Sequence, residues 1–92
     1  MQSDTSAKNA NATVDFTALI MGFSSAALYY LGEAPLEGKA VPTKNLALAR
    51  QNIDIIAMLR EKTRGNLAED EARLVEQLVT DLKIRLIEAS KA

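Results

Sequence analysis

"FTALIMGFSSAALYYLG", residues 16–32, contains no charged side chain. At about 100° per residue, its apolar side chains fall on nearly every side of a helix. Asp15 is placed to cap the amino end of that helix, and Gly32 to end it in the left-handed conformation. We therefore predict a helix over residues 16–31 that is buried on more than one side.

The same stretch raises the question of a membrane span. A span needs about 20 apolar residues, with a lower limit of about 17, and this run meets only that limit. It also contains two serines and two tyrosines. We expect no membrane span and interpret the stretch as the central helix of a bundle. Gly22 and Ala26, four residues apart, would let another helix approach closely, which serves soluble packing as well as membrane packing.

A second helix follows a connection that carries both prolines of the chain. Thr43 or Asn45 can cap its first turn. Leucine, isoleucine and alanine then recur at helical spacing as far as residue 64. We predict that this helix ends near Arg64.

A third helix is predicted to begin at Ala68 or Glu69 and to end near residue 88, because apolar side chains again recur at helical spacing. Residues 1–14 are small and polar, and we predict that they form a disordered tail. Residues 15–90 then make a single helical domain, which suits a chain of 92 residues. The predicted fold class is all-α, with three helices.

The three helices carry more apolar surface than one copy can hide. Large exposed apolar patches are rare on soluble monomers, and a symmetric dimer is the commonest closed assembly. We predict a homo-oligomer, most simply a dimer. The expected interface residues are Phe23, Leu28, Asn52, Ile55, Leu59, Ile84 and Ile87.

Asn52 is polar within the apolar arc of the second helix. An unsatisfied buried amide costs about 1–3 kcal/mol, so Asn52 needs a partner, for which Thr63 lies on the same side. Buried asparagines can select the oligomeric state of helical interfaces. We hypothesise that Asn52 gives specificity to the dimer.

The amino-acid composition argues against several classes of function. Eleven basic and twelve acidic residues leave a net charge of −1, and the chain has no cysteine and no histidine. Nucleic-acid binding, thiol and imidazole catalysis and the common zinc sites are therefore disfavoured. Asp54 and Glu61 share a face two turns apart, but such pairs are more often solvated than metal-bound. We expect no enzymatic activity, no cofactor, no metal and a cytoplasmic location.

The corner "EKTRGNL", residues 61–67, has a structural and a functional interpretation. Structurally, Gly65 ends one helix, cations suit its last turn, and Asn66 with Glu69 forms a capping box for the next helix. Functionally, Lys62, Arg64, Gly65 and Asn66 would bind an anion beside free N–H groups. The structural interpretation is favoured, because acidic residues already occupy that helix end.

Residues 16–33 and 45–78 resemble a family of small bacterial proteins, domain of unknown function 1844. The run from Ile53 to Leu67, with its "EKTRGNL" segment, carries the resemblance. In that family the residue after G-N-L is usually Thr or Ser, whereas here it is Ala68. The resemblance implies a bacterial helical protein and supplies no catalytic residue, cofactor or mechanism.

The favoured function is therefore a non-enzymatic protein–protein interaction module. Its docking surface would include the surplus apolar residues Met58, Ile84 and Ile87. The alternative is a protein that binds a small anionic ligand at the corner formed by residues 62–66.

Overall fold

The computed structural model describes residues 14–36 and 44–91. They form three α-helices, α1 (Phe16–Tyr30), α2 (Leu46–Lys62) and α3 (Glu69–Lys91). The predicted all-α, three-helix fold is confirmed. The predicted tail, residues 1–14, lies outside the described residues apart from Val14.

Both ends of α1 are closed as the sequence predicts. The side chain of Asp15 accepts a hydrogen bond from the N–H of Ala18 at 2.6 Å. Gly32 has a φ of 83°. The N–H of Gly32 donates to the carbonyl of Tyr29, and that of Glu33 to the carbonyl of Leu28, each at 3.0 Å. This pair of bonds satisfies the last carbonyls of the helix in a Schellman motif.

The helix α2 begins as predicted and ends earlier. Asn45 is the cap, since its Oδ1 accepts from the N–H of Leu48 at 3.1 Å, and Thr43 lies outside the described residues. The predicted end near Arg64 is wrong, because the last helical residue is Lys62. The carbonyl of Leu59 accepts twice from Thr63, from its backbone N–H at 3.0 Å and from its hydroxyl at 2.6 Å.

The turn after α2 keeps the predicted role of Gly65, which has a φ of 86°. The predicted cap at Asn66 is wrong. The helix α3 begins at Glu69, so Ala68 holds the capping position, and its N–H donates to the carboxylate of Glu71 at 2.8 Å. This position lies two residues after Asn66.

The helix α3 also extends three residues beyond its predicted end at residue 88, to Lys91. No glycine or proline interrupts the final residues, and a basic side chain in the last turn suits the helix dipole. The hydroxyl of Ser90 donates to the carbonyl of Leu86 at 2.8 Å within the same helix.

All three helices contribute to one aliphatic core. Ile20 of α1, Ile53 and Ile56 of α2, and Val75 and Leu82 of α3 are each at most 1% exposed. Burying a side chain of this kind contributes about 1.5–3 kcal/mol. Within the described ranges, no helix is both long enough and apolar enough to cross a membrane.

Candidate interaction surfaces

The side of α1 that faces away from the core is uncharged and partly apolar. We call it the α1 outer face, and it consists of the exposed residues Ala18, Leu19, Met21, Gly22 and Ser25. Leu19 is 47% exposed and Met21 is 44% exposed. The helix itself contains no charged residue, so nothing on this face favours water strongly.

Gly22 lies in the middle of the α1 outer face. A Cβ atom added at this position would have no neighbour within 4 Å. Glycine inside a helix costs about 1 kcal/mol relative to alanine, and no contact among the described residues requires it here. The packing of the described chain therefore does not explain Gly22.

The structure places the predicted interface residues in different environments. Phe23, Leu28 and Leu59 are half-buried and pack against the chain's own core, which leaves less of their surface for a partner. Ile84 and Ile87 on α3 are 54% and 56% exposed. Ile84 and Ile87 are therefore the members of the predicted set that are exposed in the single chain. Leu19 is exposed on the α1 outer face, although it was not among the predicted interface residues.

Asn52 and Thr63 do not pair, so that prediction is wrong. The Nδ2 of Asn52 donates to the carbonyl of Leu48 at 2.9 Å, four residues earlier in the same helix. Thr63 makes the equivalent bond to Leu59. Eleven residues of helix separate the two side chains by about 16 Å. Asn52 and its neighbour Ile55 are half-buried.

Two exposed ion pairs join the last turn of α2 to the corner at residues 61–67. The carboxylate of Glu61 lies 2.7 Å from the guanidinium of Arg64 and 3.1 Å from that of Arg60. The hydrogen bond from Arg64 lowers the pKa of Glu61, and the same bond raises the pKa of Arg64. The guanidinium that was expected to meet an anion is thus already bound to a carboxylate.

The other residues of the predicted anion site, Lys62, Gly65 and Asn66, belong to the end of α2 and the turn that follows it. Lys62 and Asn66 are exposed, and the backbone N–H of Asn66 donates to the carbonyl of Thr63 at 2.8 Å. The hollow beside Gly65 measures about 100 Å³. This volume is below the roughly 300–1,000 Å³ of typical small-molecule sites.

A larger groove, about 510 Å³, lies between the amino-terminal half of α2 and the carboxyl-terminal half of α3. We call it the α2–α3 groove. Its lining residues are Arg50, Ile53, Asp54, Lys83, Leu86, Ile87, Ser90 and Lys91. Sequence reasoning missed this groove, because it depends on how two helices lie against each other.

The carboxylates of the described chain do not gather at one place. No group of three metal-ligating side chains is found in residues 14–36 and 44–91. Asp54 lines the α2–α3 groove, whereas Glu61 bonds to arginines at the other end of α2. Asp81 and Glu33 both bind Arg85 and raise its pKa, Asp81 contributing more. Arg85 thereby links α3 to the turn after α1.

A comparison of the sequence with family models identifies one match over residues 13–88, described as Domain of unknown function (DUF1844). No curated protein and no solved structure shows significant similarity to the chain.

Proposed function

Because the chain belongs to the DUF1844 family, whose description assigns no function, we propose a role for it from its own surfaces. The proposed function is a non-enzymatic, homo-oligomeric helical protein that acts as a protein–protein interaction module. The α1 outer face is its self-association surface. The observation that carries the proposal is the uncharged outer face with an unexplained glycine at its centre.

A second copy of the chain suits this face for reasons of charge and shape. A face without charges offers no pattern that an oppositely charged partner could match, whereas it complements itself. In a two-fold arrangement each residue meets the same surface of the other copy. Gly22 at the crossing point would let the two backbones approach closely, and Leu19 and Met21 would flank it.

The same packing would offset the destabilising effect of Gly22 on α1. Glycine in place of alanine destabilises a helix by about 1 kcal/mol, and close packing of a second helix adds stabilising van der Waals contacts. Burial of Leu19 and Met21 would add to the association energy. Dimerisation would therefore explain both the glycine at position 22 and the exposure of Leu19 and Met21, which the packing of a single chain does not explain.

Sedimentation measurements on charged variants test this proposal. Leu19→Glu and Met21→Glu each place a carboxylate in the proposed interface without touching the core, because both side chains are exposed. The dissociation constant should rise at least about tenfold in either variant. The matched control is Gln77→Glu, which adds the same charge at an exposed position of α3.

Equal dissociation constants for wild type, Leu19→Glu and Met21→Glu would show that the α1 outer face is not the interface. A weakening of the same size in Gln77→Glu would show that net charge alone governs association. Either result would refute the assignment of the surface.

The interaction role itself predicts a further surface on α3. Ile84 and Ile87 are exposed and belong to α3, whereas the α1 outer face belongs to α1. Ile84→Lys should abolish capture of a protein partner while leaving the self-association of the chain unchanged. Retained capture by Ile84→Lys and Ile87→Lys would remove α3 from the docking surface.

The alternative function, anion binding at Lys62, Arg64, Gly65 and Asn66, has less support. Arg64 is bound to Glu61, and the adjacent hollow is small. A thermal-shift screen with phosphorylated metabolites tests it, since a rise in melting temperature that Arg64→Ala abolishes would favour this site. The bacterial origin and the cytoplasmic location stay predictions.

A further inference from the structure

We infer that the α2–α3 groove binds a small amphipathic anion, a ligand with an apolar body and one carboxylate or phosphate group. The groove lies on helices other than α1, so this inference is independent of the proposed self-association. Its volume, about 510 Å³, falls within the roughly 300–1,000 Å³ of small-molecule sites.

The floor of the groove is apolar. Ile53 and Leu86 are 1% and 5% exposed, and their side chains come from the two helices that form the walls. Ile87, which is 56% exposed, extends this apolar lining towards solvent. An exposed isoleucine beside a groove offers an apolar ligand additional surface to cover. Because Ile53 and Leu86 are already almost closed to water, Ile87 supplies most of the apolar surface that a ligand would cover.

The rim of the groove is cationic. Arg50, Lys83 and Lys91 line it together with one carboxylate, that of Asp54. Lys91 lies 3.7 Å from Glu88, so its charge is partly compensated. Arg50 and Lys83 have no carboxylate within 4.0 Å among residues 14–36 and 44–91.

Arg50 differs from the other arginines of the described chain. The other four, Arg60, Arg64, Arg73 and Arg85, each form an ion pair with a carboxylate. Asp54 lies one helical turn after Arg50 and could have been its partner. The order of base before acid along a helix is the less favourable one for such a pair. The guanidinium of Arg50 is therefore able to bind an anion at the rim of the α2–α3 groove.

These features fit an anion with an apolar body better than other ligands. A guanidinium and an ammonium group bind a carboxylate or a phosphate through charge-assisted hydrogen bonds, the stronger kind. A free inorganic anion would leave the side chain of Ile87 exposed to water, and a neutral apolar molecule would make no ion pair with Arg50 or Lys83. The hydroxyl of Ser90 adds a polar group on the same rim.

Calorimetric titration with defined probes tests the inference. The probes are decanoate, decyl phosphate and decanol, each kept below the concentration at which it aggregates. Decanoate or decyl phosphate should bind saturably to the full chain, and the tighter of the two identifies the head group. Decanol should bind at least about tenfold more weakly, because it lacks the charge.

Arg50→Met and Lys83→Met should each raise the dissociation constant of the anionic probe at least about tenfold. Methionine keeps an apolar stem in place of each cation, and both positions are exposed, so folding is not at risk. The matched control is Lys62→Met, which removes an exposed cation at the other end of α2 and should leave binding unchanged. Lys62 forms no ion pair with another residue of the part of the chain that the structure describes. Ile87→Asp, which puts a carboxylate beside the floor, should also abolish binding.

Three results would overturn the inference. These are the absence of saturable binding by both anionic probes, equal affinity for decanol and decanoate, and equal weakening by Lys62→Met and Arg50→Met. Circular dichroism melting of every variant checks that a loss of binding does not arise from unfolding. None of these measurements depends on whether the chain is a dimer.

Discussion

The carboxylate of Glu71 accepts a hydrogen bond at 2.8 Å from the backbone N–H of Ala68, which holds the capping position of α3. This bond is one half of a capping box. The other half needs a side-chain oxygen at position 68 that accepts from the N–H of residue 71, and alanine has none. That N–H donates instead to the carboxylate of Asp70 at 3.0 Å. Position 68 therefore contributes no side-chain cap, and Asp70 takes over part of that role.

Ala68→Ser should raise the free energy of unfolding by about 0.5 kcal/mol, the lower end of the range for a helix cap. Serine would complete the reciprocal bond, but it would replace the bond that Asp70 already makes to the same N–H. Urea unfolding at one fixed protein concentration measures it, since association would make stability depend on concentration. Ala47→Ser is the control, because it puts the same hydroxyl in the first turn of a helix already capped by Asn45, and it should give no gain. No stabilisation by Ala68→Ser would show that position 68 does not act as a cap.

Gly32 and Gly65 should respond to substitution differently from Gly22. Both have positive φ angles, of 83° and 86°, where a side chain is strained. Gly32→Ala and Gly65→Ala should each lower the free energy of unfolding by about 1 kcal/mol or more. Thermal and urea unfolding measure the change, and a neutral effect at both positions would contradict the turn geometry.

Gly22→Ala should act in two opposite directions. Alanine favours the helix by about 1 kcal/mol and meets nothing within 4 Å in the single chain, so the dissociated chain becomes more stable. The same methyl group would separate two helices that cross at this point, so the dimer should weaken. Unfolding experiments at low and at high protein concentration distinguish the effects. Stabilisation of equal size at every concentration would show that no helix packs on Gly22.

The ion pair between Glu61 and Arg64 predicts how stability depends on pH. The pKa of Glu61 in the folded chain lies below its ordinary value of 4.5. Its contribution is therefore fully present above pH 4.5 and is lost as the pH falls through the lower, folded-state pKa. Glu61 is on the surface, so the contribution is small and salt weakens it.

Glu61→Gln should consequently be less stable than wild type at neutral pH, and the two should converge in acid. Urea midpoints measured across the acidic range test this expectation. Arg64→Gln serves as the comparison, because it removes the principal partner and should flatten the same part of the pH profile. A difference between wild type and Glu61→Gln that stays constant with pH would contradict the pairing.

The helix ends show what local sequence can predict. Asp15 and Gly32 act within a few residues of their own position, so the residue type was sufficient to assign their roles, whereas it left Thr43 and Asn45 as alternatives. The helix α2 ends two residues before the predicted position because the N–H of Arg64 donates to the carbonyl of Glu61, three residues earlier, and Gly65 then takes a positive φ. The apolar pattern does not reveal this change. The cap of α3 was misplaced for a related reason, since Glu71 rather than Glu69 bonds back to the preceding backbone. A glutamate three residues after Ala68 was the available signal.

Features that depend on several helices could not be predicted. Whether Leu19 faces the core or solvent depends on how α1 is rotated against its neighbours. Arg50 and Lys83 both line the α2–α3 groove, although they are far apart in the sequence. That Arg50 forms no ion pair within residues 14–36 and 44–91 also depends on where each carboxylate of those ranges lies. Periodicity assigns residues to a helix, and only packing assigns them to a surface.

The mass of the wild-type chain in solution tests the proposed self-association most directly. Static light scattering over a range of protein concentrations, without detergent, measures it. Self-association through the α1 outer face predicts a mass of twice the 10.0 kDa of a single chain, decreasing towards the single-chain mass in Leu19→Glu. A wild-type mass of 10.0 kDa at every concentration would contradict the proposal.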